Sequence, residues 1–273
     1  MAVLLKRAPD SGALFLFVAW ALSVCPLLYA SPSAADAAQH QCVAANIDEF
    51  LNVEYVHDGD TLHLADGQKV RLIGINTPEL ARDKSPAEAY GIEARDALRQ
   101  LLKAGTRVGI QYGHERYDRH GRTLAHLYLE DGGSVQQWML DKGYAAAITI
   151  PPNVHNAHCY QQAEQQARLA QRGIWQRGGL NAVDANALER SDQGFRLVKG
   201  RITKVKWTKK WLWLTLSPNC SLRIARADVH YFDDGLLASL AQKTVVARGW
   251  LTQRKGRWSM RIHHPNSLVI VDN

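Results

Sequence analysis

From Val53 to Leu64 apolar and polar residues alternate, broken only by Asp58-Gly59-Asp60, and the alternation resumes over Lys69–Ile75 after the turn residues Ala65-Asp66-Gly67. Period-two patterning with Asp-Gly turns at this spacing marks antiparallel hairpins with one face on a core. Helical spacing takes over at Ser85–Lys103, where Ala87, Ala94, Ala97, Leu98, Leu101 and Leu102 recur at three- and four-residue steps. Further strands are predicted at Thr106–Tyr112 and Thr123–Leu129. A second helix starts at Ser134, with Gln137 completing a capping box, and stops at Gly143; a third runs from Asn156 to Gly173. Strands, helix, strands and two helices predict an α+β fold, mainly β. The expected unit is a small five-stranded, OB-like barrel over 41–176 with three helices packed outside it, and not a βαβ parallel sheet.

Residues 177–193 are polar and rich in Ala and Asn, which predicts a linker. From Phe195 the β pattern returns at 196–206, 212–216, 222–225, 245–251, 258–262 and 268–271, with one short helix between Leu236 and Gln242. This predicts a second small β-barrel over 194–273, for which an OB-like path is one arrangement. No internal sequence repeat is visible.

The net charge of +7 is unevenly spread: residues 194–273 hold 15 Lys and Arg against 4 Asp and Glu. The second module is therefore strongly basic and the remainder mildly acidic, which points to a polyanionic partner. Lys204, Lys206, Lys209 and Lys210 stand beside Trp207, Trp211 and Trp213, a pairing that suits phosphates and stacked bases. The competing reading has the tryptophans filling the barrel core under a soluble charged face.

At the start, Lys6 and Arg7 precede an apolar run from Gly12 to Ala30, and small residues follow to Ala38. That order predicts a secretory signal peptide over 1–38 and export to the periplasm or the medium; the alternative is an uncleaved membrane anchor. Export frames the cysteines. Cys42 and Cys159 flank the first barrel and are expected to form a disulfide, leaving Cys220 as a buried thiol. Zinc held by His155, His158 and Cys159 is the weaker alternative, because no paired-His or CxxC spacing supports it.

Three segments concentrate charged residues: Asp58-Gly59-Asp60-Thr61, Arg71 to Glu79 (RLIGINTPE) and Asp118-Arg119-His120-Gly121-Arg122. Phosphodiester hydrolysis needs a base for water, a grip on the phosphate and stabilisation of the charge growing on its oxygens. Carboxylate, guanidinium and a hard cation held by oxygen ligands supply the three.

Together with VQQWMLDKGYA and a late helix ending GIW, these segments resemble the staphylococcal nuclease (thermonuclease) family over Val53–Trp175. The resemblance implies roles. Asp60 matches a calcium carboxylate, the Thr77 position supplies a backbone carbonyl, and Asn76 offers an amide oxygen to the same cation. Arg71 and Arg122 match phosphate-binding arginines, and Glu79 matches the general base. Asp58 matches an acidic residue beside the metal site. The implied enzyme is a Ca2+-assisted nuclease, with other divalent cations as candidates, cutting DNA, RNA or both and leaving 3′-phosphate ends. No obligate protein partner is implied, and a membrane only if the leader is retained.

Two departures stand out. Asn76 replaces an aspartate of the best-known member, which predicts weaker calcium binding. The family's nucleotide-flanking tyrosines are not evident in Ala145–Pro152, with Tyr117 or His120 as candidate substitutes. The rival functions are a nucleic-acid-binding protein on an inactive barrel and an envelope interaction protein.

Overall fold

The computed structural model describes residues 41–81 and 86–271. The expected leader over 1–38 lies outside these residues. Among the described residues no helix is long and apolar enough to cross a membrane.

The alternating segments form β1 (Glu49–Val56), β2 (Thr61–Leu64), β3 (Lys69–Leu72), β5 (Arg107–Tyr117) and β6 (Thr123–Tyr128), and these close into a barrel in the order β1-β2-β3-β6-β5. All neighbours are antiparallel except β3 and β6. The alternation works as expected: Leu62, Leu64, Val70, Leu72, Val108, Ile110, Ala125 and Leu127 are buried in one cluster.

Three helices cover this barrel: α1 (Gly91–Leu101), α2 (Val135–Asp141) and α3 (Ala157–Leu169). Ser134 caps α2 by accepting from the Gln137 N–H. The Gln137 side chain accepts the Cys42 N–H at 2.9 Å, tying the chain before β1 to the helix. The expected Cys42–Cys159 disulfide is present and closes a separation of 117 residues, while Cys220 is a buried free thiol. Of the stretch expected to be helical, Ser85 lies outside the described residues, residues 86–90 are not helical and the helix begins at Gly91. Glu88 N–H donates to the Glu79 carbonyl at 2.8 Å, so the segment before Gly91 is bound to a loop instead of coiling. A two-residue pair, β4 (Ile75–Asn76) with β7 (Ala146–Ala147), was not foreseen, being too short to carry a period.

The second β pattern forms β9 (Gly194–Arg201), β10 (Lys204–Trp207), β11 (Trp211–Ser217), β12 (Cys220–Ala225), β13 (Thr244–Arg254), β14 (Arg257–Ile262) and β15 (Leu268–Val271), with α4 (Asp234–Ser239) before β13. Its sheet runs β10-β11-β12-β14-β13-β9, and β12 with β14 is the parallel neighbour pair on that path. Only Ile202 and Thr203 separate β9 from β10, so the path returns to its start through the chain itself. In the first barrel, β1 likewise pairs with β5 through its first half and β2 through its second. The β12–β14 parallel contact of the second sheet thus has its counterpart in the β3–β6 contact of the first barrel. The stretch 177–193 is not bare linker: β8 (Ala182–Asp184) adds to β9, and Ala185 is buried in the second core.

The two barrels are fastened together. Arg248 of β13 donates to Glu164 Oε2 of α3 at 2.7 Å and to the Ala147 carbonyl at 2.9 Å. Ala147 N–H donates to the same Glu164 oxygen. Phe195 of β9 packs with Ala146 and Ile174 of the first unit. Arg168 Nε also meets Glu164 Oε1 at 2.8 Å, so it is removal of Glu164 that would strand the buried Arg248 charge, at about 3–5 kcal/mol.

His126 of β6 lies buried, with Nδ1 2.8 Å from the Tyr160 hydroxyl. Burial, reinforced by neighbouring His155, lowers its pKa from 6.5 to about 3. Between those values the unfolded chain takes up a proton that the folded chain refuses, so stability falls as pH drops through that window. Replacing His126 by Gln should flatten this decline in urea-unfolding series from pH 7 to pH 4; an unchanged slope would count against the burial argument.

Candidate active site

The turn between β1 and β2 places Asp58 and Asp60 at one mouth of the first barrel. Gly59 is required there: a Cβ would stand 2.8 Å from Thr77 Oγ1 and 2.9 Å from the Ala94 Cβ. This close approach brings Asp60 into reach of Thr77. Asp60 Oδ2 accepts from the Thr77 N–H at 3.0 Å, from Thr77 Oγ1 at 3.1 Å and from Arg71 Nη2 at 3.0 Å. Its Oδ1 accepts from Thr61 Oγ1 at 3.1 Å.

Arg71, on β3, also donates through Nη1 to the carbonyls of Leu72 and Ile75, and through Nη2 to Asn76 Oδ1 at 3.3 Å. Asn76 Nδ2 donates to the Thr77 carbonyl at 3.3 Å. Asp60, Arg71, Asn76 and Thr77 therefore form one bonded group. Asp58 lies beside it and accepts the Asp60 N–H at 3.1 Å. Burial, with the neighbouring Asp60 charge adding to it, raises the Asp58 pKa above the ordinary carboxylate value. Among the described residues no group of three His, Cys, Asp or Glu side chains comes together as a metal cluster. The oxygens gathered here are two carboxylates, an amide and a carbonyl.

Arg122 is held differently. The Asp118 carboxylate accepts its backbone N–H at 2.9 Å and its Nε at 2.7 Å, as well as the His120 N–H at 2.8 Å. Partial burial works against the Asp118 charge, but these donors outweigh it and hold the carboxyl below its usual pKa. The Arg122 guanidinium then reaches Thr61, with Nη1 3.4 Å from Oγ1. Asp118 orients Arg122, a role that a motif residue without an assigned task did not disclose.

Glu79 is exposed on the loop after β4, and its backbone is clamped at both ends by one residue. Its N–H donates to Glu88 Oε2 at 3.0 Å, and its carbonyl accepts the Glu88 N–H. Gly91 leaves room for this loop, since a Cβ there would lie 2.8 Å from the Glu79 carbonyl oxygen. Glu88 Oε1 in turn accepts from Arg196 Nη1 of the second barrel at 2.8 Å. Neither Glu88 nor Arg196 lies in a recognisable motif, and their juxtaposition spans 108 residues.

One cleft of about 780 Å³ is lined by Asp58, Asp60, Arg71, Asn76, Glu79 and Arg122 together. His120 lines it as well, while Tyr117 is exposed on β5 away from its lining. Thr77 joins through its bonds to Asp60. The lysines of the second module sit elsewhere, on β10 and the turn after it. There a row runs straight across four strands, Lys206 beside Trp213, Trp213 beside Arg223 and Arg223 beside Arg261. The Arg223 guanidinium lies 4.6 Å from the Trp211 ring centroid and that of Arg261 5.6 Å. Burial, and next the neighbouring Arg261 and Arg254 charges, lower the Arg223 pKa. The row is a crowded cationic surface with aromatic faces.

A family model described as staphylococcal nuclease homologue matches residues 69–177. The chain is similar to the thermonuclease of Staphylococcus intermedius, 37% identical over 132 residues, which cover 47% of this chain and 77% of that protein. It is 34% identical to the thermonuclease of Staphylococcus hyicus over 131 residues, 47% of this chain and 76% of the relative. Endonuclease YncB of Bacillus subtilis is 32% identical over 127 residues, 45% of this chain and 59% of the relative.

Hydrogen bonds to a charged acceptor contribute about 1.5–3 kcal/mol. Replacing Glu88 by Ala should therefore speed native-state amide exchange at Glu79 by roughly tenfold to a hundredfold. Unchanged exchange would show that the clamp does not hold the loop.

Proposed function

This chain belongs to the staphylococcal nuclease family, and from that premise we propose that it is an exported nuclease hydrolysing DNA, RNA or both with the help of a divalent cation, calcium first. The observation that carries the reading is that Arg71, Arg122, Glu79 and the Asp58–Asp60 pair line a single cleft.

The donor set fits a hard cation. Asp58 and Asp60 are two carboxylates, each 7% exposed and set side by side, and a hard cation takes oxygen ligands of this kind. Asp60, the Asn76 amide oxygen and the Thr77 carbonyl would hold the ion, with Asp58 adjoining. Such a cation supplies positive charge to phosphate oxygens and acidity to a bound water. Asn76 brings no charge of its own, which points to a higher calcium requirement.

The protein's own groups divide the remaining work. Arg122, steadied on its Nε by Asp118, binds the phosphate through its η nitrogens, and Arg71 adds positive charge beside it. The Glu79 carboxylate takes a proton from water as the water oxygen attacks phosphorus. The bond to the 5′-oxygen breaks in line, and that oxygen leaves with a proton from solvent. The products are a 5′-hydroxyl and a 3′-phosphate. On the second barrel, Lys206, Arg223 and Arg261 form a second contact with nucleic acid, with Lys204, Lys209 and Lys210 at its edge.

The export reading is supported by the leader pattern over 1–38 and by the Cys42–Cys159 bridge, since disulfides persist in oxidising compartments. One feature favours the second reading, a barrel that binds without cutting: the Arg71 η nitrogens are committed to acceptors inside the protein.

Digestion assays separate the two. The chain should degrade DNA or RNA, a chelator should abolish the activity, and Glu79→Gln should lower it by about 10²- to 10⁴-fold with the fold intact. Near-wild-type cleavage by the Gln variant would remove Glu79 as the base, and no cleavage at all would favour the binding reading. Reversing Lys206 and Arg223 to Glu should lower the slope of log affinity against log salt by roughly one per residue. An unchanged slope would place nucleic acid elsewhere.

A further inference from the structure

The cleft has a wall that none of the phosphate-handling groups occupies. Ile148 and Ile150, just after β7, line it, and so does Trp250 of the second barrel. Ile150 is 37% exposed and Trp250 41%, large apolar surfaces for residues beside charged groups.

The position of Trp250 is built, not incidental. Along β13, Val245, Ala247 and Leu251 point into the second core, so Arg248 and Trp250 leave by the other face. Arg248 locks that face to Glu164 and Ala147 of the first barrel. Phe195 pairs with Trp250 across the sheet, and its ring meets the indole edge-to-face at a centroid distance of 5.4 Å. Phe195 is itself buried against Ala146, with Ile148 packed on the same cluster. The ion pair and the aromatic plug thus fix an indole at the cleft. Asn153, on the same lining, is bound through both side-chain polar atoms to the Glu115 backbone and adds a rigid edge.

We propose that Trp250, with Ile148 and Ile150, forms a subsite for an unpaired nucleobase next to the phosphate bound at Arg71 and Arg122. The second barrel then contributes directly to substrate binding in the first. Every nucleotide joins an anionic phosphate to a flat π face, and this cleft offers guanidinium groups along one part and an exposed indole along another. The inference rests on reading the cleft as a nuclease site.

Binding tests it in the full-length chain carrying Glu79→Gln, which keeps the strand intact. Fluorescence anisotropy would compare a labelled single-stranded oligodeoxynucleotide with the same strand carrying abasic sites. Trp250→Leu retains apolar bulk against Phe195 but removes the π face, so the fold is kept. Stacking of one base corresponds to about five- to 150-fold in affinity. The Leu variant should lose that factor on the base-bearing strand and far less on the abasic strand, and Trp250→Phe should recover most of it. Equal losses on both strands, or no loss on either, would overturn the subsite. If the unsubstituted chain digests nucleic acid while Trp250 proves silent, the subsite fails and the nuclease reading stands. If that chain neither digests nor binds, both fail.

Discussion

A carboxylate removed from water must find its donors inside the protein, and Asp60 finds four. Arg71, the Thr77 amide, the Thr77 hydroxyl and the Thr61 hydroxyl all converge on it. This is more than local tidiness. Arg71 comes from β3, Thr77 follows β4 and Thr61 opens β2, so one anion ties together two of the three segments that carry the charged motifs, and Arg122 of the third reaches the group through Thr61. The glycine between the two aspartates permits the approach, and the arginine that answers Asp60 also fixes Asn76. Beside this group, burial and the Asp60 charge raise the Asp58 pKa, an electrostatic setting that suits a cation.

The second barrel is part of this construction. Arg248 completes Glu164, Arg196 completes Glu88, and Glu88 holds the backbone of Glu79. The loop that presents the proposed base is thus steadied from a module 108 residues away. The same docked face carries Trp250 to the cleft, while the basic row of Lys206, Arg223 and Arg261 lies across β10, β11, β12 and β14. A polyanion attracted by the excess charge of the second module would meet both surfaces of one rigidly joined molecule.

Much of this was legible from local pattern. Alternation located the barrel strands, the Ser134 cap located α2, and the motifs named Asp60, Arg71, Asn76, Glu79 and Arg122, which line one cleft. What stayed hidden has a common cause. The β4–β7 pair and β8 are two or three residues long, too short for periodicity. Glu88, Arg196, Arg248 and Trp250 act only through partners far along the chain, and nothing near them in sequence marks them. Asp118 sat inside a recognised motif, yet its role emerged only from its bonds to Arg122.

The central claim is spatial: one phosphorus atom is addressed by two guanidiniums, an oxygen-rich cation site and a carboxylate. The direct measurement is a crystal structure with a phosphorothioate-linked oligonucleotide and a divalent cation. The account predicts the scissile group between Arg71 and Arg122, the cation on Asp60, and Glu79 on the side opposite the 5′-oxygen. A phosphorus seated away from the two arginines, or a cation bound without Asp60, would contradict it.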